Sequence, residues 1–592
     1  MCGILGQIER SNEVNETQFH SMLSTLAHRG PDGEGMWFSS DKKIAFGHRR
    51  LSFFDLSELG KQPMVSTQKE VVISFNGEIY NFESLREELS LDYPFQSNTD
   101  TEVLLAAYEK WGMDFLSKIE GMFAMALFDQ QKQQVILVRD RFGIKPLYFT
   151  LQEERFLFSS ELKAIVACSQ VPKKINPSAM MDFFVYRYIP SPKTIWLNVE
   201  KVEPAQYVVI DLKSFTKTKA HYWKLTESKV KVGKEVFSSD FRKEFQQSVQ
   251  EHLRADVPVG SFLSGGYDSS AIVLAAAQTD KRSDLKTFTV GFESWDQSED
   301  QFAEQLCEQL EVSNKKVRLS DESLGLLERM PDVYDEPIAD ISIVPTYAVS
   351  QLARTNRKAV LSGEGADELF LGYHWQKEWV ELNRFHLKNI FRAKPNLKSF
   401  YAQSMSMGEF NREELTSMFT DSYRGAVEED VHWFYQKHLR SDLSPIKAIQ
   451  HLDVKCFMGE LVLTKVDRAS MANSLEVRVP FLKHSFFETL FKHDPSDYFQ
   501  KGLAKFPIHS FLKNQIPENL LQRKKQGFVG PDAYYMNHDF YRKELLHSTL
   551  IEDGIIRREY IVKQLEIPYN WRLWKIVVFE KWYARWRKEI SN

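Results

Sequence analysis

Cysteine is scarce in this chain: four in 592 residues, Cys2, Cys168, Cys307 and Cys456, scattered singly. That number and spacing exclude a disulfide framework and a CxxC zinc site, and they suit a reducing cytoplasm. No run approaches the ~20 apolar residues of a membrane span. The opening MCGILGQIER lacks the basic stretch followed by an apolar one that marks a secretory leader. Charge of one sign is lacking too: 76 Lys and Arg against 81 Asp and Glu leave a net −5, which predicts no attraction to nucleic acid or to a membrane surface. Internal repeats and low-complexity stretches are absent, as is the GxxxxGK[ST] signature of Walker-type loops. What remains is a globular composition, 43% hydrophobic and 27% charged, on a chain too long for one core, so two or three domains are expected.

Against that background Val259 to Ala271, VGSFLSGGYDSSA, reads as a short apolar strand, a glycine turn rich in hydroxyls and the opening of a helix. Glycines lack a Cβ, so the N–H groups of Ser264, Gly265 and Gly266 can approach an anion closely, and the helix opening near Asp268 adds its positive end. Ser264, Ser269 and Ser270 supply further donors. A second turn of similar chemistry follows a second apolar strand in Ala359 to Glu368, AVLSGEGADE. Two such turns at the carboxyl ends of parallel strands can face one crevice, where open α/β sheets bind ligands. SGGYDSS resembles the pyrophosphate-binding loop of the ATP pyrophosphatases, which release pyrophosphate from ATP.

The beginning of the chain carries a different chemistry. Removal of Met1, which a small second residue permits, leaves the Cys2 thiol beside a free α-amine. An α-amino group of pKa ~7.7–8.0 is partly neutral at physiological pH and can act as the thiol's general base. A small buried hydrophobe at the start of a strand is the plainer reading of the same residue. Downstream, one strand leads into Arg49-Arg50-Leu51-Ser52 and another into Asn76-Gly77-Glu78-Ile79-Tyr80-Asn81. An arginine suits an α-carboxylate, and an amide with a glycine N–H suits an oxyanion. An acidic residue, Glu78 or alternatively Asp100, suits an α-ammonium group; Asp100 also reads as the N-cap of a helix over Val103 to Trp111.

Taken together, MCGI, HRGPD, GHRRLS, FNGEIYN, DTEVLLAAY, GMFAMALFD, RDRFGIKPLY and SSELKAI, spread over residues 2–165, resemble the glutaminase domain of the class II amidotransferases. The resemblance implies an N-terminal-nucleophile hydrolase αββα sandwich, placed at 2–212, with Cys2 as the nucleophile that hydrolyses glutamine. It implies an oxyanion hole at Asn76 and Gly77 and a glutamine held by Arg50, Glu78 and Asp100 as well. Residues 166–235, punctuated by Pro172, Pro177, Pro190, Pro192 and Pro204, read as the end of this domain plus a connector.

From Phe241 onward strands and helices alternate, which predicts a doubly wound parallel sheet. SGGYDSS, TFTVGF, DEPIADIS, LSGEGADELFLGY, KVDRASMANSLEVRVPFL and RKKQGF resemble the synthetase domain of glutamine-dependent asparagine synthetases, here a nucleotide-binding domain with extra helices over 236–592. The resemblance implies ATP contacts at Leu263, Ser264, Gly265, Gly266, Asp268, Ser269, Ser270, Val290, Ser362 and Gly363, and Mg²⁺ on Asp268 and Asp367. Glu364 is expected to take a proton from attacking ammonia, and Lys505, twelve positions before Pro517, to offset charge on the departing phosphates. The implied partners are the small molecules glutamine, aspartate and ATP, with an acyl-adenylate intermediate and internal passage of ammonia; a homodimer is admitted, while nucleic acid and membrane are not. Acidic residues of Asp335 to Asp340 are expected to serve the α-ammonium group of aspartate.

Three positions depart from the family pattern: Tyr267 where leucine is frequent, His509 for arginine and Lys483 for aspartate, the last two bearing on the acceptor. One competing reading is therefore the same ATP chemistry on another carboxylate, such as a uronic acid of a surface polysaccharide. Another is a non-enzymatic storage or regulatory protein, against which intact Cys2, Arg50, Asp268 and Glu364 argue. Segment Lys377 to Ser444 carries no motif that can be placed, and Trp571 to Lys588 reads as a closing amphipathic helix packed on the domain.

Overall fold

The computed structural model describes residues 2–68, 70–228, 230–293, 295, 298–383, 396–500, 503, 505–522 and 530–590. The RKKQGF stretch lies outside the described residues, as does part of the Lys377 to Ser444 segment. No helix among the described residues is long and apolar enough to cross a membrane.

The first half is built from β1 (Gly3–Glu9), β2 (Gly33–Phe38), β3 (Ile44–Arg50), β4 (Met64–Val65), β5 (Val71–Ile79) and β6 (Gly121–Asp129). It continues with β7 (Gln134–Arg139), β8 (Tyr148–Leu151), β9 (Arg155–Ser159), β10 (Glu200–Lys201), β11 (Gln206–Asp211) and β12 (Thr216–His221). They form two antiparallel sheets, in the orders β10-β8-β9-β1-β3-β2 and β12-β11-β7-β6-β5-β4. Alternation along the strands decides the layering. Ile4 and Ile8 of β1 face the other sheet, meeting Val72, Ala124 and Leu137, while Leu5 between them faces Phe19 and Met22 of an outer helix. Ile73 and Met125 likewise turn outward to Leu85 and Leu104 of helices on the opposite surface. This is the expected αββα sandwich. Its second sheet closes on β12, which pairs with β11 beyond residue 212.

The second half holds β13 (Val259–Phe262), β14 (Lys286–Phe292), β15 (Ser313–Leu319), β16 (Ala359–Leu361) and β17 (Glu476–Arg478), all parallel, in the order β15-β14-β13-β16-β17. Strand order reverses at β13, so the crevice beyond the carboxyl ends of β13 and β16 is the topological switch point where such sheets take ligands.

Residues 166–235 end the first domain and then connect: the helix Pro177–Tyr186 is buried along most of its length, with Pro177 at its first turn where a missing N–H costs nothing, β10 to β12 complete the sheets, and irregular chain over 222–228 leads on. One sequence expectation needs correction. The closing helix Trp571–Trp586 is not amphipathic, because Leu573 through Glu580 are buried without a break, the mark of a helix enclosed on all sides. Trp582 meets Trp196 at 5.6 Å between ring centroids, and Phe579 meets Phe183 at 5.5 Å. The segment that carried no motif joins this core through Tyr401, Phe410, Phe419, Phe434 and Tyr435. Lys575, fully buried there, donates to the carbonyls of Phe184 (2.8 Å), Ser406 (3.0 Å) and Gly408 (2.8 Å), which meets all three ammonium donors without a carboxylate.

The halves are joined by buried charge. Arg29 Nη1 bonds to Glu161 at 2.7 Å and Asp467 at 2.9 Å, Arg468 pairs with Glu161 at 2.9 Å, and Lys163 reaches both Glu161 and Asp335 at 3.0 Å. Breaking one partner out of a buried pair typically costs ~3–5 kcal/mol, so such a set fixes one relative placement of the halves.

Candidate active sites

Cys2 stands at the mouth of the sandwich because β1 begins one residue later and pairs Gly3 with Arg49, which brings the turn after β3 alongside. Its Sγ is 4.0 Å from the Leu51 carbonyl. Its N–H donates to Asn76 Oδ1 at 2.8 Å, and its carbonyl accepts from Arg29 Nε at 3.1 Å. Asn76, at the far end of β5, is fully buried, yet its Nδ2 has no partner among the described residues. A buried amide donor beside a thiol, left unmet at a cost of ~1–3 kcal/mol, is what an oxyanion needs. Gly77 follows where β6 passes so close that a Cβ would lie 2.2 Å from the Met122 carbonyl oxygen. Burial pushes the Cys2 thiol up.

Glu78 and Asp100 flank the same strand end. Asp100 Oδ2 accepts the Ile79 N–H at 3.1 Å, and burial raises its carboxyl to about 6. It is not the helix cap: Thr99 caps the helix Asp100–Trp111, its hydroxyl accepting the Glu102 N–H at 3.3 Å, which frees the Asp100 carboxylate for the site. Glu78 is buried and raised well above the usual carboxylate range by desolvation, against the pull of Arg478, whose Nη2 is 3.1 Å away. Arg50 spends its fork on carbonyls of the following loop, Ser57 at 3.1 Å, Phe54 at 3.2 Å and Asp55 at 2.6 Å. That anchors the loop over the site and leaves a carboxylate to share those donors.

The second site forms at the switch point. Leu263 leaves β13 with its N–H on the Phe288 carbonyl at 2.9 Å. In the turn, the Ser264 N–H donates to Ser269 Oγ at 3.2 Å and the Gly266 N–H to Ser264 Oγ at 3.1 Å, so hydroxyls hold two of the three expected anion donors in place. Gly265 has φ +76°, which glycine adopts without strain. Ser270 is buried on the helix Tyr267–Ala277, and Val290 is buried in β14 beside the turn's strand. The two turns touch: a Cβ on Gly363 would come within 2.9 Å of Asp268 Cβ. Ser362 donates its N–H to the Arg478 carbonyl at 2.8 Å. Glu364 has a buried Oε2 without a partner among the described residues, and desolvation raises its carboxyl although the Ser362 hydroxyl opposes this.

Asp268 and Asp367 converge on one ammonium. Lys505 Nζ pairs with both, at 2.7 Å from Asp367, and the two carboxylates overcome the effect of burial to hold it at about 12. A Cβ on Gly372 would fall 1.9 Å from Asp367 Oδ1 and 2.4 Å from Lys505 Cε, so a side chain there would have to displace the ends of both groups. Two carboxylates close enough to share one cation fit Mg²⁺, which takes one or two protein carboxylates and fills its remaining positions with water and phosphate oxygens.

Elsewhere the structure corrects the sequence. Asp335 pairs with Lys163 at 3.0 Å, Glu336 with Lys201 at 2.6 Å and Asp340 with Lys465 at 3.2 Å, so these acids are already matched by cations and do not stand open for an α-ammonium group. Lys483 pairs with Glu251 at 2.6 Å and Glu120 at 3.2 Å on the seam between halves. Tyr267 and His509, two of the departures, face each other with ring centroids 6.1 Å apart. Sequence reading assigned no role to Arg478. It bonds to Glu78 in the first site, to Glu476 at 2.6 Å and to the His252 carbonyl at 2.9 Å, and its own carbonyl takes the Ser362 N–H of the second site.

A glutamine amidotransferase domain model matches residues 1–223, and an asparagine synthase model matches 240–584. Glutamine-hydrolysing asparagine synthetase 1 of Bacillus subtilis is 33% identical over 99% of this chain and 96% of its own length. A putative second asparagine synthetase of Methanocaldococcus jannaschii is 37% identical over 63% of this chain and 76% of its own. Amidase chry2 of Gibberella zeae is 26% identical over 93% of this chain and 92% of its own.

Proposed function

Because the chain belongs to the asparagine synthase family and carries a glutamine amidotransferase domain ahead of the synthase domain, we propose that it makes asparagine from aspartate and ATP with glutamine as nitrogen donor. Residues 2–212 are assigned to glutamine hydrolysis and 236–592 to amidation. The observation that carries the reading is Arg478: one side chain holds Glu78 beside Cys2 while its carbonyl fixes Ser362 in the ATP loop, so a nitrogen-releasing site and an activating site are built against each other.

In this reading the Cys2 thiol attacks the glutamine amide carbon while Asn76 Nδ2 with the Gly77 N–H receives the developing oxyanion; the C–N bond breaks, ammonia leaves with the thiol's proton relayed through the α-amine, and water then hydrolyses the glutamyl thioester to glutamate and frees the thiol. Arg50 takes the α-carboxylate, and Glu78 with Asp100 the α-ammonium group. Ammonia then passes inside the chain to the second site. There the aspartate side-chain carboxylate attacks the α-phosphate of ATP, giving β-aspartyl-AMP and pyrophosphate. Leu263, Val290, Ser362 and Gly363 line the nucleotide, while Ser264, Gly265, Gly266, Ser269 and Ser270 turn donors to the pyrophosphate. Asp268 and Asp367 would hold Mg²⁺, whose chemistry is to neutralise phosphate charge and orient the α-phosphate. Lys505 supplies positive charge to the leaving group. Glu364, raised by burial, takes a proton from ammonia as nitrogen attacks the acyl carbon, and asparagine and AMP leave.

Asp100 sets a pH dependence. With the free carboxyl at about 6, ionisation favours a bound ammonium group above that pH and protonation opposes it below. The KM for glutamine should therefore climb as pH falls through 6, and the dependence should vanish in Asp100→Asn; steady-state glutamine hydrolysis from pH 5 to 8 reads it out. The function as a whole is tested by ATP and glutamine consumption by purified protein across a panel of carboxylates, with AMP and pyrophosphate as products. Turnover with aspartate supports it; turnover with a sugar acid alone moves the acceptor elsewhere.

A further inference from the structure

The loop that Arg50 anchors over the first site ends on a side chain shared by three elements. β4 begins at Met64, after Pro63, which has no N–H to give a ladder, and the register Met64↔Ile73 sets Gln62 opposite Phe75 of β5. The Gln62 side chain continues the pairing where the backbone stops: its Oε1 accepts the Phe75 N–H at 2.7 Å. Its Nε2 donates to the Thr101 hydroxyl at 3.1 Å, and that hydroxyl donates to Asp100 Oδ1 at 3.4 Å. Gln62, Thr101 and Asp100 are all buried.

The direction of this chain is fixed at its start. A backbone N–H can only donate, so Phe75 decides which end of the Gln62 amide faces it. The amide nitrogen is thereby turned to Thr101, whose oxygen must accept, and the single hydroxyl proton is left for Asp100. Burial raises the Asp100 carboxyl to about 6, against the pull of the Ile79 and Thr101 N–H groups. Charged groups on the neighbouring elements are engaged elsewhere. Glu78 of β5 and Glu476 of β17 lie on Arg478 at 3.1 and 2.6 Å, and Asp55 of the loop takes the Asn98 N–H at 2.9 Å. Glu102 takes the Ser97 N–H at 2.6 Å, and Arg86 donates to the Ser97 carbonyl at 2.6 Å. Among the described residues, the Thr101 hydroxyl is the side-chain donor that reaches Asp100. A donor to the ionised form of an acid favours that form. We propose that Gln62 is a positioning residue of the first site, which through Thr101 keeps Asp100 a carboxylate turned to the α-ammonium group of glutamine. The proposal rests on the glutaminase reading of that site and adds to it what holds its acid in the charged form.

The test follows the KM for glutamine from pH 5 to 8 in the full chain. In Gln62→Met and Thr101→Val, which keep the volume and cut the relay, the pH at which KM climbs should move up by about one unit, the scale of one hydrogen bond to a charged group. Below both midpoints KM should then stand about 10-fold above wild type. Turnover at saturating glutamine and synthesis from ammonium salts should not change, which also reports that the variants fold. Gln62→Glu still accepts the Phe75 N–H but turns a carboxylate to Thr101, which draws the proton away from Asp100, so its shift should be the largest. Thr101→Ser restores the hydroxyl and should return the wild-type midpoint. Gln62→Met combined with Thr101→Val should shift no further than Thr101→Val alone, because both cut one chain. An unmoved midpoint in Thr101→Val, a fall in kcat with KM unchanged, or a Thr101→Ser profile like that of Thr101→Val overturns the proposal. Wild-type protein that hydrolyses no glutamine would remove the reading beneath it.

Discussion

Cys2→Ala should abolish glutamine-dependent amidation, a fall of about 10⁴-fold or more as for loss of a catalytic nucleophile, while synthesis supported by added ammonium salts continues. The expectation follows from how the first site is tied together. The contacts that place residue 2, its N–H on Asn76 Oδ1 and its carbonyl under Arg29 Nε, are made by the backbone and survive the substitution. Only the sulfur is lost. Arg478, Glu78 and the seam around Glu161 keep their partners, so the second site retains its shape. Both activities are measured as AMP release, with glutamine and with ammonium chloride in turn. Loss of the ammonium-supported reaction in a folded variant would show that the thiol's role is not confined to nitrogen release.

Asp268→Asn and Asp367→Asn should each lower acceptor-dependent ATP–pyrophosphate exchange by roughly 10²-fold or more, the scale on which charge stabilisation at a transferring phosphate acts, with glutamine hydrolysis by Cys2 intact. Lys505 holds both carboxylates in a notch beside Gly372, so removing one charge unbalances the group and would take one oxygen from the proposed Mg²⁺ site. Exchange at the wild-type rate in both variants would mean that neither carboxylate meets the metal.

How much of this was legible in the sequence follows from how local each feature is. The turns after β13 and β16 were readable because strand, glycine turn and helix opening are contiguous, and the parallel order of those strands then placed them at one switch point. Pairing of Asn76 with Cys2 was legible only through the family resemblance, since 74 residues separate them. Asp100 was half-read: both Thr99 and Asp100 can cap a helix, and choosing between them needs backbone geometry. The acids of Asp335 to Asp340 were misread because their partners, Lys163 and Lys201 among them, come from the other half of the chain. Arg478 and Glu78 are 400 positions apart, and nothing in their local sequence announces the contact. The helix Pro177–Tyr186 lay in a stretch read as the end of a domain plus a connector, where proline content suggested irregular chain and burial of the helix was not visible.

The central claim, that nitrogen leaves glutamine at one site and enters aspartate at the other, is tested most directly with amide-¹⁵N glutamine, aspartate, ATP and Mg²⁺ in the presence of unlabelled ammonium. The account predicts ¹⁵N in the side-chain amide of asparagine, with AMP and pyrophosphate formed in equal amounts to it. Asparagine carrying mainly unlabelled nitrogen, or label in the amide of a different acid, would contradict it.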